Sequence, residues 1–145
     1  MCERARSYRP DMAFGADIIA GFPTETDEMF ENTYQLVEAC DLTFLHVFPY
    51  SPRPGTPAAK MPQVELSVRK ERAAKLRELG DRQLQKFLSR HVNKDLEVIV
   101  EKGNLGRSEH FAQVRLDQDI PPGALTMVKT LAVEGDMLTG KVLAQ

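Results

Sequence analysis

The chain has 145 residues, 42% hydrophobic and 28% charged, with a formal net charge of −2. These proportions are those of a soluble globular protein, long enough for one ordinary domain or two small ones. No apolar run approaches the ~20 residues of a membrane span, and residues 1–10 carry charge where a secretory signal would be apolar.

The net charge conceals an asymmetry. Residues 1–60 hold 5 Lys/Arg against 9 Asp/Glu, residues 61–91 hold 8 against 4, and residues 92–145 hold 6 against 8. The basic middle block is either a phosphate-facing surface or a solvated helix face. Cys2 and Cys40 are far apart in sequence, which fits reduced thiols in a cytoplasmic protein and no zinc-type spacing.

The first residues read as the tail of a basic helix stopped by Pro10. Residues 14–22 form an apolar run with Asp17 embedded, ended by Gly21-Phe22-Pro23. This is the pattern of a parallel strand buried on both faces. Thr24 or Thr26 then caps a helix over 26–40, with Asp27 and Glu28 in the first turn and Phe30, Tyr34 and Val37 spaced for one buried face. A second strand follows over 42–48, with Phe44, His46 and Phe48 on one side and Leu45 and Val47 on the other. The order strand–helix–strand predicts a parallel pair with a right-handed crossover.

Five prolines and one glycine make residues 49–62 a stiff, extended loop. Residues 66–91 are predicted helical, with Leu76, Leu79, Leu84, Phe87 and Leu88 as the apolar stripe. Arg69, Lys70, Arg72, Lys75, Arg77, Arg82, Lys86 and Arg90 fill its other positions, as a nucleic-acid surface or simply a solvated face. After His91 the hydrophobic period changes to two. Residues 96–101, 112–116, 126–131 and 138–143 read as short strands between Gly-, Asp- and Pro-rich turns. Four or five such strands predict a small closed barrel, because closure removes exposed edges. Two parallel strands and one helix, by contrast, cannot cover their own faces. Residues 1–60 are therefore expected to be the end of a larger barrel and poorly soluble in isolation.

Two segments carry a resemblance. Asp17-Ile18-Ile19-Ala20-Gly21-Phe22-Pro23-Thr24-Glu25-Thr26 and Pro49-Tyr50-Ser51-Pro52-Arg53-Pro54-Gly55-Thr56-Pro57-Ala58-Ala59-Lys60-Met61 resemble signature segments of the radical S-adenosylmethionine tRNA methylthiotransferases. His46-Val47-Phe48-Pro49-Tyr50 is most similar to the branch acting on threonylcarbamoyladenosine beside the anticodon, the isopentenyladenosine branch being the alternative. The basic helix and terminal strands resemble the family's linker and its TRAM domain, an RNA-binding β-barrel. The resemblance thus implies an α/β plus all-β fold. Residues 1–62 would end a partial (β/α) radical S-adenosylmethionine barrel, residues 63–91 would be a helical linker, and residues 92–145 a five-stranded TRAM-type barrel.

It also implies a cytoplasmic piece of a tRNA-modifying enzyme whose N-terminal part is missing. The anticodon stem-loop of tRNA would be the partner, with neither DNA nor membrane involved. The parent's cofactors would be S-adenosylmethionine and [4Fe–4S] clusters. A cluster that binds S-adenosylmethionine needs three thiolates from one short loop, which Cys2 and Cys40 do not supply. The chain alone is accordingly expected to be inactive and to hold no metal, and no catalytic residue is assigned.

For the cofactor the candidates are Gly21, Tyr50 and Arg53, with further hydroxyls on Ser51 and Thr56. Gly21 either lets backbone approach the cofactor's adenosine or only shapes a tight turn with Pro23. Arg53 either meets a carboxylate or phosphate from its stiff loop or ties that loop to the sheet. Glu25 and Thr26 read as capping residues. His46 reads as a core residue or a polar contact to cofactor, and Cys40 as inert core. For RNA the candidates are Lys94, Arg107, Phe111, Arg115, Lys129 and Lys141, with Arg107 and Phe111 in a turn-like loop and Phe111 available to stack on a base. Two other classes stay open: a stand-alone, non-catalytic RNA-binding module, and the end of a sugar- or phosphate-utilising α/β enzyme.

Overall fold

A computed structural model describes residues 1–144. Gln145, the last residue of the expected barrel segment, lies outside the described residues. The chain divides into two compact units, the first Met1–Gln83 and the second from Leu84 onward.

The first unit contains α1 (Cys2–Tyr8), β1 (Gly15–Ala20), α2 (Asp27–Ala39), β2 (Phe44–Pro49) and the first part of α3 (Leu66–Arg90). The expected parallel pair is present, with Gly15 opposite Phe44 and Ala20 opposite Pro49. Thr26 is the cap of α2: its Oγ1 accepts from the Met29 amide at 3.1 Å, and Asp27 and Glu28 occupy the first turn. The other end of α2 has no basic residue in its last turn. Arg6 of α1 supplies the missing cation, donating to the carbonyls of Cys40 and Asp41 at 2.6 and 3.0 Å.

Only one face of the two-stranded sheet is covered among the described residues. Ala20 and Val47 pack with Phe30 and Val37 of α2 and with Ala73, Leu76 and Leu79 of α3. On the opposite face Asp17 lies across from His46, and Ile19 across from Phe48. Ile19 and Phe48 are each 54% exposed. The expectation of strands buried on both faces is corrected here, and so is the core reading of His46, which is exposed. The loop after β2 is also less uniform than its prolines suggest. Ala58–Lys60 make one 3₁₀ turn, started by Thr56, whose Oγ1 donates to the Arg53 carbonyl and accepts from the Ala59 amide.

Four arginines of α3 are engaged within the first unit. Arg77 donates to the Val47 carbonyl at 3.0 Å and Arg69 to the Tyr50 carbonyl at 2.9 Å. Arg82 bonds the Tyr34 hydroxyl, and Arg72 pairs with Glu25 and Asp27. These bonds strap α3 along β2 and the loop after β1, because a guanidinium fork reaches main-chain oxygens that a helix otherwise leaves to water.

In the second unit the end of α3 is followed by β3 (Asp95–Lys102), β4 (Leu105–Ser108), β5 (Gln113–Leu116), β6 (Leu125–Glu134) and β7 (Met137–Ala144). They close into a five-stranded barrel in the order β3-β4-β5-β7-β6. The β5–β7 pair is parallel and the others are antiparallel. Period-two alternation places Leu96, Val98, Val100, Val114, Leu116, Val128 and Leu138 inside. Gly140 also faces in: a Cβ there would lie 2.3 Å from Val128 Cγ1, so only glycine lets β7 pass that close. β4 lies where a turn-like loop was expected, and it completes the closure. Thr130 ties the barrel to the segment after α3, its Oγ1 accepting from the Lys94 amide at 3.0 Å and donating to the His91 carbonyl. No helix among the described residues is long and apolar enough to cross a membrane.

Candidate functional site

Each unit presents a surface that can meet a ligand. In the first, the strand ends and the proline-rich loop enclose a cleft of about 580 Å³ lined by Ile19, Phe48, Pro49, Tyr50, Ser51, Arg53, Thr56 and Ala58. Its position follows from the parallel pair, whose carboxyl ends carry both loops. The walls are largely apolar, with hydroxyls from Tyr50, Ser51 and Thr56 and a single cation. The Arg53 guanidinium is exposed and has no partner among the described residues. Such a cleft suits a ligand with an apolar or aromatic body and one anionic group.

Of the three cofactor candidates, the structure brings Tyr50 and Arg53 together in this cleft. Tyr50 is held by both ends of its backbone: its amide donates to the Ala20 carbonyl at 2.8 Å and its carbonyl accepts from Arg69. Its ring meets Phe22 edge-on at 5.4 Å. Gly21 is not among the lining residues. It sits at φ +79°, and a Cβ on it would lie 2.3 Å from Arg69 Cγ. The close approach that glycine permits there is therefore to a side chain of α3.

Contacts that the sequence does not reveal hold the loop after β1 in shape. Glu25 accepts from the Gly21 amide at 3.0 Å and from Arg72 Nη1 at 2.9 Å, while Arg72 Nη2 reaches Asp27 at 2.8 Å. Glu25 is thus an anchor of the loop, where a helix cap was expected. The available signal was the pairing of an acidic βα loop with arginines in the following helix, which leaves the actual partners open.

On the barrel, Arg107 and Phe111 come together: the guanidinium lies 4.4 Å from the ring centroid and donates to the Phe111 carbonyl. Arg107 belongs to β4, which corrects its placement in a loop, and Phe111 follows in the β4–β5 turn at φ +67°. Arg107 also pairs with Glu101 at 3.1 Å. Ile99 stands opposite both Arg107 and Leu125, so Leu125, Ile99 and Arg107 form a row across three strands. Leu125 is 58% and Ile99 49% exposed. This apolar platform was missed, although Ile99 interrupts the outward carboxylates Asp95, Glu97 and Glu101 in the strand pattern.

Lys129 and Lys141 are exposed and directly opposite across β6 and β7, and Asp95 faces Lys129 from β3. Lys94 is exposed beside that Asp95. Arg115 stands apart, on β5, in an ion pair with Glu134 at 2.8 Å. Cys40, expected as inert core, is half-buried at the C-terminal end of α2, as is Cys2 in α1. The neighbouring Cys2 thiol, then partial burial, holds the Cys40 thiol above its ordinary pKa. Among the described residues no group of three or more His, Cys, Asp or Glu side chains is placed to hold a metal ion.

No protein-family model matches the chain. Among curated proteins it is 49% identical over 133 residues to the threonylcarbamoyladenosine tRNA methylthiotransferase MtaB of Rickettsia prowazekii, covering 92% of this chain and 32% of that protein. It is 37% identical to the tRNA-2-methylthio-N(6)-dimethylallyladenosine synthase of Erythrobacter litoralis, over 99% of this chain and 34% of that protein. The MtaB enzyme of Aquifex aeolicus is 34% identical, over 83% of this chain and 30% of its own length. The chain spans about a third of the length of these curated relatives.

Proposed function

We propose that this chain, a homologue of the tRNA methylthiotransferases, serves as the part of such an enzyme that shapes one side of the cofactor site and holds the tRNA. The observation that carries the reading is the 49% identity over 133 residues to an enzyme named for threonylcarbamoyladenosine, against 37% for one named for dimethylallyladenosine. On that basis the substrate is threonylcarbamoyladenosine beside the anticodon, and the work is done in the cytoplasm. Residues 1–62 act as the end of the radical S-adenosylmethionine barrel, 63–91 as its linker and 92–145 as a TRAM-type RNA-binding barrel.

S-adenosylmethionine, when bound, supplies the radical chemistry of methylthiolation. The cleft fits it: Arg53 offers a cation to the methionine carboxylate, and Tyr50 with the apolar wall offers a surface to the rest of the molecule. Gly21 contributes by letting the loop after β1 close on Arg69, which fixes Tyr50 in turn. The [4Fe–4S] cluster does not fit this chain. Its two cysteines are those of α1 and the end of α2, and a cluster of this kind takes three thiolates. In this reading the ligands belong to another part of the parent protein, and the chain alone does not cleave S-adenosylmethionine.

For the tRNA, Arg107 and Phe111 offer a cation and a stacking face to an unpaired base, and Lys94, Lys129 and Lys141 offer charge to phosphates. Arg115 is engaged by Glu134 and contributes least. The test is nucleoside analysis by mass spectrometry of tRNA from cells lacking the complete gene. The expected result is loss of the methylthio group from threonylcarbamoyladenosine alone. Loss from the isopentenylated nucleoside would move the chain to the other branch, and unchanged nucleosides would favour a non-catalytic RNA-binding module.

A further inference from the structure

We propose that Cys2 and Cys40 form a reversible intramolecular disulfide that staples α1 to the C-terminal end of α2. The geometry comes from α1. Cys2 and Arg6 are four residues apart and share one face of that helix. Arg6 is fastened to the end of α2 by its bonds to the Cys40 and Asp41 carbonyls, and its guanidinium lies 4.6 Å from the centroid of the Phe14 ring. That anchorage sets the turn carrying Cys2 beside the end of α2, and the Cys2 thiol is the largest influence on the Cys40 thiol. Both residues are half-buried, so small oxidants reach them. Sequence distance, which made each cysteine look solitary, is cancelled by the fold.

The oxidant is a low-molecular-weight disulfide of the glutathione type. The Cys2 thiolate attacks one sulfur of it, forming a mixed disulfide and expelling one small thiolate. Cys40 then loses its proton to solvent, and its thiolate attacks the Cys2 sulfur and releases the second small thiol. Two protein thiols are oxidised and one small disulfide is reduced to two thiols. The exchange balances in the same way if Cys40 makes the first attack. This inference does not depend on the enzymatic reading.

The experiment equilibrates the full chain in glutathione redox buffers, traps free thiols by alkylation and maps cysteines by mass spectrometry. The expected product is a monomer with a cross-linked Cys2–Cys40 peptide, reversed by dithiothreitol. Separate glutathione adducts on both cysteines with no cross-link, or disulfides only between chains, would overturn the proposal. Arg6→Ala keeps both thiols and removes the anchor, so cross-link formation should slow at least tenfold. An unchanged rate would overturn the role given to Arg6. Cys2→Ser should stop Cys40 at the mixed disulfide, and loss of that adduct without an added reductant would count against the pairing.

Discussion

Arg72 donates to both the main-chain carbonyl and the carboxylate of Glu25, at 3.0 and 2.9 Å, from a position on α3 that is 7% exposed. One guanidinium therefore serves the loop after β1 twice through Nη1 and reaches Asp27 through Nη2. Removing one member of a buried, hydrogen-bonded ion pair leaves the other charge without compensation. Arg72→Ala is expected to destabilise the first unit by about 3 kcal/mol. Arg72→Lys should recover only a fraction, because an ammonium cannot reproduce the fork. Denaturant unfolding of the three proteins measures this, and a loss below about 1 kcal/mol for the alanine variant would mean the pair is solvated in practice.

Gly21 and Arg69 form a second coupled pair. Gly21→Ala places a methyl group within 3.0 Å of three atoms of Arg69, at a backbone angle that side chains rarely adopt. The expected cost is about 2 kcal/mol, combining left-handed strain with overpacking. Arg69→Ala removes the nearest atom and leaves the next, so the double variant should recover at least about 0.5 kcal/mol relative to additivity. A double-mutant cycle by chemical unfolding tests this, and strict additivity would show that the helix moves away at no cost.

The barrel residues separate by the kind of contact each makes. Phe111→Ala should weaken tRNA binding by about 1–3 kcal/mol with the salt dependence unchanged, as loss of base stacking does. Lys129→Ala and Lys141→Ala should each reduce the slope of log affinity against log salt by about one, as loss of a phosphate contact does. Arg115→Ala should change least, since Glu134 already occupies it. Filter binding over a salt series distinguishes these outcomes, and equal effects from all four would mean a diffuse electrostatic surface.

Much of this architecture was legible because it rests on local rules. Thr26 before two acidic residues marks a helix start, and alternation in Leu96-Glu97-Val98-Ile99-Val100 marks a strand with one buried side. β4 escaped notice because Leu105-Gly106-Arg107-Ser108 is short and begins beside a turn, with a glycine that a strand reading counts against. The straps of α3 were illegible for a different reason. Arg69 and Arg77 bind main-chain carbonyls of Tyr50 and Val47, and a carbonyl has no residue type to reveal it. A row of arginines on a helix therefore looks solvated in sequence while it fastens a sheet in the fold. Tyr50 and Arg53 were visible as site candidates because proline fixes their loop at a strand end. The partner of Gly21 was not, since its positive φ only says that something lies close.

Thr130 offers the sharpest test of the barrel itself. It is fully buried on β6, yet its hydroxyl joins two main-chain groups from the segment after α3: the Lys94 amide, at 3.0 Å, and the His91 carbonyl. Its own amide and carbonyl bond Lys94 and Asn93, so the side chain completes a connection that the backbone has begun. Thr130→Val keeps the shape and removes the hydroxyl, which leaves a donor and an acceptor without their partner. The expected loss is about 2 kcal/mol, the cost of groups left unsatisfied in the interior. Thr130→Ser keeps the hydroxyl and loses one methyl, so it should cost only about 1 kcal/mol. Chemical unfolding of the two variants decides the matter. If valine proves as stable as serine, water replaces the hydroxyl and the connection depends on the backbone bonds alone.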